Sequence, residues 1–257
     1  MSRGRLPTIK GPQWNGVKSF CTTRQGGVSL GPWASLNLGF HTGDDPEHVN
    51  KNRQRLGTLL PTVPVWLDQV HGVGIVDADR LCPEAFANGA VPPAADAAIT
   101  RTPGRVLAIM TADCLPVVLA KSDGSALGVV HAGWRGLAAG VLEATLRQLC
   151  AGNKAAGTWR AWIGPAISQA HFEVGSDVID AFAAQDPKAL EFFSPQPSRK
   201  KWMADLPGLA RLRLCQAGVQ HVELSDCCTY QQADRFFSYR RDGVTGRQVT
   251  IAWLTGD

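Results

Sequence analysis

Three apolar runs within residues 106–140 constrain the fold more than any other part of this chain. Residues 106–110, 116–120 and 126–130 each have the length of a strand and contain no charged side chain. Short apolar runs bounded by turn residues are typical of strands that are buried on both faces. The sequence therefore predicts that these runs form central strands of an α/β domain.

Reactive side chains lie where these runs end. Asp113 and Cys114 fall between the first two runs, and His131 ends the third. A glycine-rich turn that contains Arg135 follows, while His71 ends a similar run earlier in the chain. Ligand sites in α/β proteins gather outside strand ends, so this pattern indicates a built site rather than a plain core.

The composition is that of an ordinary globular protein, with 257 residues, 44% hydrophobic and 19% charged, enough to bury one sizeable core. A formal net charge of +4 permits an anionic substrate but does not indicate a nucleic-acid surface, which needs a clustered basic stripe. Seven cysteines without a CxxC pair disfavour a zinc finger, and no apolar run is long enough for a signal peptide or a spanning helix. We expect a cytoplasmic, reduced protein.

The remaining sequence predicts one domain over residues 1–257. An acidic N-cap followed by Pro46 opens a helix over residues 44–60, and residues 82–95, with three prolines, are predicted to form a loop. Further helices are predicted at 137–150, 174–184 and 205–217. Strands are predicted at 20–23, 63–67, 74–76, 159–163 and 221–224, and residues 235–240 and 247–254 are predicted to form a hairpin.

One thiol and two imidazoles supply three donors for a metal ion. Three protein ligands with one open position is the arrangement of a catalytic zinc, so His71, Cys114 and His131 are candidate ligands. The same side chains fit a nucleophilic site, with Cys114 as thiolate, His131 as base and either His71 or Asp113 as the orienting group. A third interpretation leaves all three as buried structural residues.

Two neighbouring residues carry weaker signals. Asp113 is interpreted either as a carboxylate that hydrogen-bonds a site histidine or as a cap on a turn. The turn around Arg135 offers free backbone N–H groups at a helix start, which makes it a candidate phosphate site.

A series of motifs runs in order from about Phe20 to Leu254: TRQGGVS, SLNLGFHTGDDPEHVNKNRQRL, QVHG, TADCLPVVL, HAGWRGLAAGV, IGPAI, FEVG and FFSYRRDGVTGRQ. This series resembles the YfiH/laccase-domain family. The resemblance implies a YfiH-like cysteine-hydrolase fold, a single α/β domain with a central mixed β-sheet flanked by helices. It also implies that the metal ligands and catalytic residues are His71, Cys114 and His131, with zinc as the expected cofactor and copper as the alternative.

The resemblance further implies a purine nucleoside phosphorylase acting on adenosine, inosine and S-methyl-5′-thioadenosine, with an accompanying adenosine deaminase activity. Contacts to ribose and base are expected from Arg24, Ser29, Asn37, Thr229 and Tyr230. The expected partners are therefore a small-molecule nucleoside and phosphate, with no nucleic acid and no membrane, and the chain is expected to act as a monomer or weak homodimer.

Two other functions follow from names used in the family. A peptidoglycan editing factor would use Cys114 to hydrolyse cell-wall precursors that carry mis-incorporated L-serine. A polyphenol oxidase would be a copper laccase, and the chain has only six histidines. A multicopper centre needs many imidazoles, so the laccase alternative is the least favoured of the three.

Overall fold

A computed structural model describes residues 6–82, 91–150, 159–197 and 200–256. The largest sheet in this part of the chain has six strands, in the order β12, β8, β6, β7, β4 and β3. Its strands are β3 (Ile75–Asp77), β4 (Ala97–Thr100), β6 (Leu115–Lys121), β7 (Leu127–Ala132), β8 (Trp159–Ile163) and β12 (His221–Leu224). Strands β3 and β4 are parallel, as are β8 and β12, and the other pairs are antiparallel, so the predicted mixed sheet is confirmed.

Two smaller antiparallel sheets lie beside it. One has four strands in the order β1, β2, β13 and β5, which are Thr8–Lys10, Val17–Thr22, Gln248–Leu254 and Leu107–Thr111. The other has three strands in the order β10, β11 and β9, which are Phe193–Gln196, Lys201–Ala204 and Glu173–Val174. The first of the three apolar runs therefore joins a different sheet from the other two.

The helices flank the sheets, as the α/β prediction requires. They are α1 (Pro46–Gly57), α2 (Trp134–Ala138), α3 (Val141–Leu149), α4 (Ser176–Ala183), α5 (Leu206–Gln216) and α6 (Tyr239–Asp242). The predicted acidic cap of α1 is confirmed, because the side chain of Asp45 accepts a hydrogen bond from the Glu47 amide and Pro46 follows it. Within the described ranges, no helix has the length and apolar character needed to cross a bilayer.

The six-stranded sheet is buried on both faces because side chains alternate along each strand. On β6, Val117 and Leu119 pack in the core that contains α3 and α5, while Val118 packs against Leu107 and Ile109 of the four-stranded sheet. The other face of the four-stranded sheet packs against α1. Charged groups are excluded from such a double-sided core, so functional side chains are confined to the strand ends.

Three predicted elements differ in the structure. The predicted helix over 137–150 is split into α2 and α3, because Gly140 adopts a φ of 92° that an α-helix cannot contain. In the 63–67 segment, only Val65 forms a bridge, to Leu107, instead of a strand. Residues 83–90 of the predicted 82–95 loop lie outside the described residues.

The predicted hairpin between residues 235–240 and 247–254 is wrong. Strand β13 pairs with β2 and β5 instead, and the amide of Phe237 donates to the side chain of Gln248 rather than to a ladder. Phe236 and Phe237 are both fully buried, whereas a strand would point neighbouring residues to opposite faces. The two aromatic side chains anchor an irregular segment in the core.

Candidate active site

The candidate site is built at one edge of the six-stranded sheet. Strand β6 begins where the antiparallel strand β7 ends, and Pro116 lies opposite His131. Cys114 precedes β6 by one residue, so the thiol and the imidazole reach the same edge. Strands β3 and β4 also begin there, since Ala97 pairs with both Ile75 and Val130.

The sheet brings together the three side chains that the sequence singled out. The ligand atoms of His71, Cys114 and His131 all lie within 4.8 Å of one another. The Cys114 Sγ is 3.9 Å from His71 Nε2, and the two imidazole rings meet edge to face with centroids 4.8 Å apart. His131 is buried and His71 is exposed, so the cluster has an open side.

Gly133 provides the space for this cluster. A Cβ atom at this position would lie 2.9 Å from His71 Cδ2 and 3.1 Å from Cys114 Sγ. Both distances are at or below the limit of normal side-chain contacts. The glycine that the sequence places after β7 therefore allows the chain to pass directly against the reactive atoms.

Asp96 organises both histidines, and sequence reasoning missed it. Its fully buried carboxylate is 2.8 Å from His131 Nδ1 and accepts hydrogen bonds from the backbone amides of His71, at 2.9 Å, and Gly72, at 2.6 Å. Burial raises the pKa of the Asp96 carboxyl, but these hydrogen bonds outweigh burial and the net direction is down. The carboxylate therefore stays ionised and orients the His131 ring. A lone acidic residue directly before an apolar strand was the available signal.

Cys114 and His131 form a charged pair. Burial raises the pKa of the Cys114 thiol, but the charge of His131 and hydrogen bonds from both histidines lower it more, to about 6. Burial lowers the pKa of His131, while Cys114 and Asp96 together raise it to about 9. Near neutral pH Cys114 is therefore a thiolate next to the His131 imidazolium, and a metal ion that binds both side chains must displace the imidazolium proton.

The donor set fits a tetrahedral metal ion. Zinc bonds imidazole nitrogen at about 2.0 Å and thiolate sulfur at about 2.3 Å, which puts two such ligands about 3.5 Å apart. The 3.9 Å between Cys114 Sγ and His71 Nε2 is close to that spacing. Because Nδ1 of His131 faces Asp96, its Nε2 is left as the metal-binding atom. The three side chains could hold zinc or copper and leave a fourth position open.

Asp113 does not hydrogen-bond a site histidine, so the first of its two interpretations is wrong. Its carboxylate accepts hydrogen bonds from the hydroxyl groups of Thr229 and Ser238 and from the amide of Arg240. Its own φ is 93°, a left-handed conformation that aspartate tolerates better than most residues. Asp113 therefore stabilises the turn between β5 and Cys114. The carboxylate that hydrogen-bonds His131 is that of Asp96.

The predicted ribose contacts on the glycine-rich loop have other partners. Ser29 and Asn37 are buried and both donate to the Asp44 carboxylate, at 2.6 and 2.9 Å. Asn52 donates to the hydroxyl of Ser29 and to the backbone of Asn37. Arg24 donates to two backbone carbonyls and stacks over a phenylalanine ring. These residues form a network that holds the loop together, and their role as ligand contacts stays a prediction.

The other predicted contacts also lie at the side of the cluster. Thr229 is buried against Asp113, and Tyr230 stacks on His171 with ring centroids 4.5 Å apart. Arg135 is exposed, with its guanidinium 4.4 Å from the ring centroid of Trp134. The structure brings none of these three side chains into hydrogen-bond contact with the cluster, so their binding roles stay predictions.

A small apolar cavity of about 120 Å³ opens beside the cluster. Cys114 forms part of its wall, and the remaining wall is largely aromatic and aliphatic. The side chains that shape it are Trp134, Ile167, Phe172, Leu206, Tyr239 and Arg240. A flat apolar ring placed here would lie next to the reactive sulfur.

The chain is similar in sequence to one protein family over nearly its whole length. The family model described as multi-copper polyphenol oxidoreductase laccase matches residues 18–255. The chain is 47% identical to the purine nucleoside phosphorylase YfiH of Escherichia coli, over 95% of this chain and 97% of that one. It is 45% identical to the purine nucleoside phosphorylase PA4543 of Pseudomonas aeruginosa, with the same coverage.

Solved structures show the same fold. The Neisseria meningitidis protein NMB0706 superposes with a TM-score of 0.90 at 43% identity, covering 98% of this chain and all of that one. The Bacillus licheniformis protein YfiH superposes with a TM-score of 0.88 at 31% identity, covering 97% of each chain. The predicted YfiH-like α/β fold is therefore confirmed.

Proposed function

Because the chain belongs to the multi-copper polyphenol oxidoreductase laccase family, and relatives at 45–47% identity are named purine nucleoside phosphorylases, we propose that it is such a phosphorylase. The proposed substrates are adenosine, inosine and S-methyl-5′-thioadenosine. The observation that supports this most is the cluster of His71, Cys114 and His131 beside an apolar, aromatic-lined cavity. The cavity suits a purine ring, which is flat and stacks on aromatic side chains.

The reaction exchanges one bond at the sugar. An oxygen of hydrogen phosphate forms a bond to ribose C1′, and the bond from C1′ to the purine nitrogen breaks. The electron pair of that bond leaves with the base, and the proton of hydrogen phosphate ends on the base, so atoms and charges balance. The protein has to bring phosphate and nucleoside together in one orientation, which by itself removes much of the barrier.

The chain's own residues supply the binding and the orientation. Trp134 and Tyr239 border the cavity and would hold the base by stacking. His71, Cys114 and His131 would hold zinc, with copper as the alternative at the same position. Zinc would supply a Lewis acid beside the bound nucleoside. Asp96 keeps His131 in the orientation that this requires.

Adenosine deamination is part of the same proposal. A Lewis acid next to the purine can promote attack by water at the carbon that carries the amine, with loss of ammonia. The reaction needs the same base-binding cavity and no phosphate. A laccase fits less well, because among the described residues this cluster is the only group of three donors that could hold a metal, and several coppers need more.

We propose that the protein acts in the cytoplasm. Cys21, Cys114, Cys150, Cys215 and Cys227 are all unbridged thiols, as expected of a protein kept in a reducing compartment. The proposed protein works on small molecules as a monomer or weak homodimer.

The experiment combines metal content with product identification. Untagged protein is analysed for bound metal and incubated with adenosine and phosphate, and the products are separated. We expect about one equivalent of zinc, together with adenine and ribose 1-phosphate. Cys114→Ser should lose metal and both products, whereas Cys215→Ser, which changes an exposed thiol on α5, should lose neither. Metal-loaded wild type that forms no ribose 1-phosphate would rule out the phosphorylase.

One observation favours a second candidate, a thiol hydrolase. Asp96, His131 and Cys114 are arranged as orienting acid, base and nucleophile. In that reaction the thiolate attacks an amide carbonyl, the imidazolium gives its proton to the leaving amine, and water then hydrolyses the thioester. The substrate would be a cell-wall precursor with mis-incorporated L-serine. Chelator-treated protein that cleaves such a precursor, with no action on adenosine, would favour this candidate.

A further inference from the structure

Arg247 lies at the edge of the site on the side of the four-stranded sheet. Strand β13 begins at Gln248, which pairs with Thr111, the last residue of β5. Arg247 therefore lies next to the short turn through Asp113 that delivers Cys114. Burial lowers the pKa of the Arg247 guanidinium, and the negative charges of Cys114 and Asp113 act in the opposite direction. The guanidinium is thus within electrostatic range of the reactive thiol.

The Arg247 guanidinium keeps unused donors. Its hydrogen bonds run from Nη1 to the carbonyls of Thr245 and Gly246, at 3.1 and 2.9 Å. Among the described residues, neither Nε nor Nη2 has a hydrogen-bond partner, and no carboxylate forms an ion pair with this arginine. The carboxylate of Asp113, whose charge acts on Arg247, accepts hydrogen bonds from Thr229, Ser238 and the Arg240 amide instead. A half-buried guanidinium with free donors is suited to an oxyanion.

A second basic side chain packs against the same backbone. A Cβ atom on Gly39 would lie 3.0 Å from Arg247 Cγ and 3.3 Å from His41 Cε1. His41 is exposed, so its imidazole is open to solvent. Burial lowers the pKa of His41, Arg247 and Arg53 lower it further, and Asp68 acts in the opposite direction. The imidazole of His41 and the guanidinium of Arg247 therefore lie side by side at this edge.

Arg53 adds positive charge near His41. Its guanidinium is stacked between the rings of Phe40 and Trp66, at 4.4 and 3.8 Å from their centroids, and its Nε donates to the carbonyl of Leu38. Burial lowers its pKa to about 10, and it forms no ion pair with any described carboxylate. Guanidinium groups held without a carboxylate raise the local potential for an anion.

We propose that Arg247, with His41 beside it and Arg53 behind, forms the binding site for inorganic phosphate next to the cluster. This assignment rests on the proposed phosphorylase function. It places the anion on the four-stranded-sheet side of Cys114 and the base in the neighbouring aromatic cavity. The ribose would then bridge the two, with C1′ between the phosphate and the base.

The proposal replaces the weaker candidate at Arg135. That side chain is exposed and stacked on Trp134, and α2, which it helps to begin, has only five residues. Arg247 is only half-exposed, its amide donates to Asn37 Oδ1, and its Nη1 is held by the carbonyls of Thr245 and Gly246. A fixed fork binds a tetrahedral oxyanion with less loss of side-chain entropy than a free one.

The test separates phosphate from nucleoside. Steady-state kinetics on metal-loaded protein give KM for phosphate and for adenosine, and calorimetry gives the affinity for inorganic phosphate without nucleoside. Arg247→Gln should raise KM and Kd for phosphate about tenfold or more and change KM for adenosine less than about threefold. Arg247→Lys keeps the charge but not the forked donor geometry, so its KM and Kd for phosphate should lie between those of wild type and Arg247→Gln. Arg211→Gln, which removes an exposed arginine of α5, is the matched control and should resemble wild type.

Several results would overturn the assignment. An unchanged phosphate affinity in Arg247→Gln would overturn it. So would a loss of phosphate affinity in Arg135→Gln as large as that in Arg247→Gln. Tighter, Arg247-dependent binding of a nucleoside 5′-monophosphate than of inorganic phosphate would assign the site to a substrate's own phosphate instead. Because Arg247 is half-buried, His41→Gln provides a second variant at an exposed position, with an expected rise of several-fold in KM for phosphate.

The outcomes distinguish this proposal from the function on which it rests. Wild type that binds phosphate through Arg247 but forms no ribose 1-phosphate would retain the binding site and refute the phosphorylase. If wild type forms ribose 1-phosphate and Arg247→Gln keeps its phosphate affinity, the phosphorylase is retained and the phosphate site at Arg247 is refuted.

Discussion

Replacing Asp96 by asparagine tests how the site is held together. The carboxylate accepts three hydrogen bonds: Oδ1 takes the His131 ring and the His71 amide, and Oδ2 takes the Gly72 amide. Asparagine has nearly the same shape but only one acceptor oxygen. Whichever way the amide is turned, its NH₂ group faces at least one buried N–H donor.

The magnitude follows from these contacts. One donor left without a partner costs about 1–3 kcal/mol, and the charge-assisted bond to His131 loses about 1 kcal/mol when its acceptor becomes neutral. We therefore expect Asp96→Asn to lower the free energy of unfolding by about 2–4 kcal/mol. Loss of a partner that orients a metal-bound histidine typically weakens the metal by about 10–100-fold, and we expect the same range for zinc.

The sign of the pH dependence is fixed by the lowered pKa of Asp96. A carboxyl with a lowered folded pKa stabilises the fold above its ordinary value of 3.8. This stabilisation is lost as pH falls through the folded value. The difference between wild type and Asp96→Asn should therefore be complete at pH 7 and should shrink below about pH 3.8.

The assay is zinc competition against a chromophoric chelator, with urea unfolding of the metal-free protein in parallel. Asp79→Asn is the matched control. Asp79 accepts hydrogen bonds from Thr100 and the Arg101 amide at the opposite end of β4. The Asp79→Asn substitution should therefore lower the free energy of unfolding without lowering the affinity for zinc. Zinc affinity in Asp96→Asn within about threefold of wild type would refute the reasoning that Asp96 sets the histidine geometry.

Three further predictions concern the reactive edge. In metal-free protein, alkylation of Cys114 by iodoacetamide should reach half its maximal rate near pH 6, because the thiolate exists above that pKa, and His131→Gln should move the midpoint upward. Gly133→Ala should reduce zinc binding and activity about tenfold or more, since its Cβ would lie 3.1 Å from the Cys114 sulfur; Gly57→Ala, with open space around it, is the control. Tyr239→Ala should raise KM for adenosine about tenfold by removing a stacking surface, with KM for phosphate unchanged; equal rises in both would argue against a base site in the cavity.

The sequence indicated the reactive side chains because their chemistry is visible in residue type. A thiol and two imidazoles next to apolar runs predicted a cluster, and the structure places His71, Cys114 and His131 together. The position of Asp96 directly before an apolar strand marked it as unusual, but its partners could not be predicted, because they depend on β4 lying between β3 and β7. Which strands become neighbours is decided by packing across the whole sheet, not by local pattern.

Polar residues in the glycine-rich loop have a structural use that composition alone does not reveal. Ser29 and Asn37 have the types expected of ligand contacts, yet they are buried on Asp44. A long loop needs internal partners for its own polar groups, and composition does not distinguish this use from binding. Arg247 was assigned to a hairpin strand, so its place beside Cys114 became apparent only once β13 was seen to pair with β5.

The position of β13 has a consequence for how the protein is made. This strand follows all the other described strands in the sequence, yet it lies in the middle of the four-stranded sheet, between β2 and β5. The ribosome must therefore deliver residue 254 before β2 and β5 can take their native positions. Nascent chains that already carry His71, Cys114 and His131 still lack Arg247 and the sheet that supports it. The complete active site can therefore form only once residues 248–254 have been synthesised, and a chain that stops before them lacks the strand that joins β2 to β5.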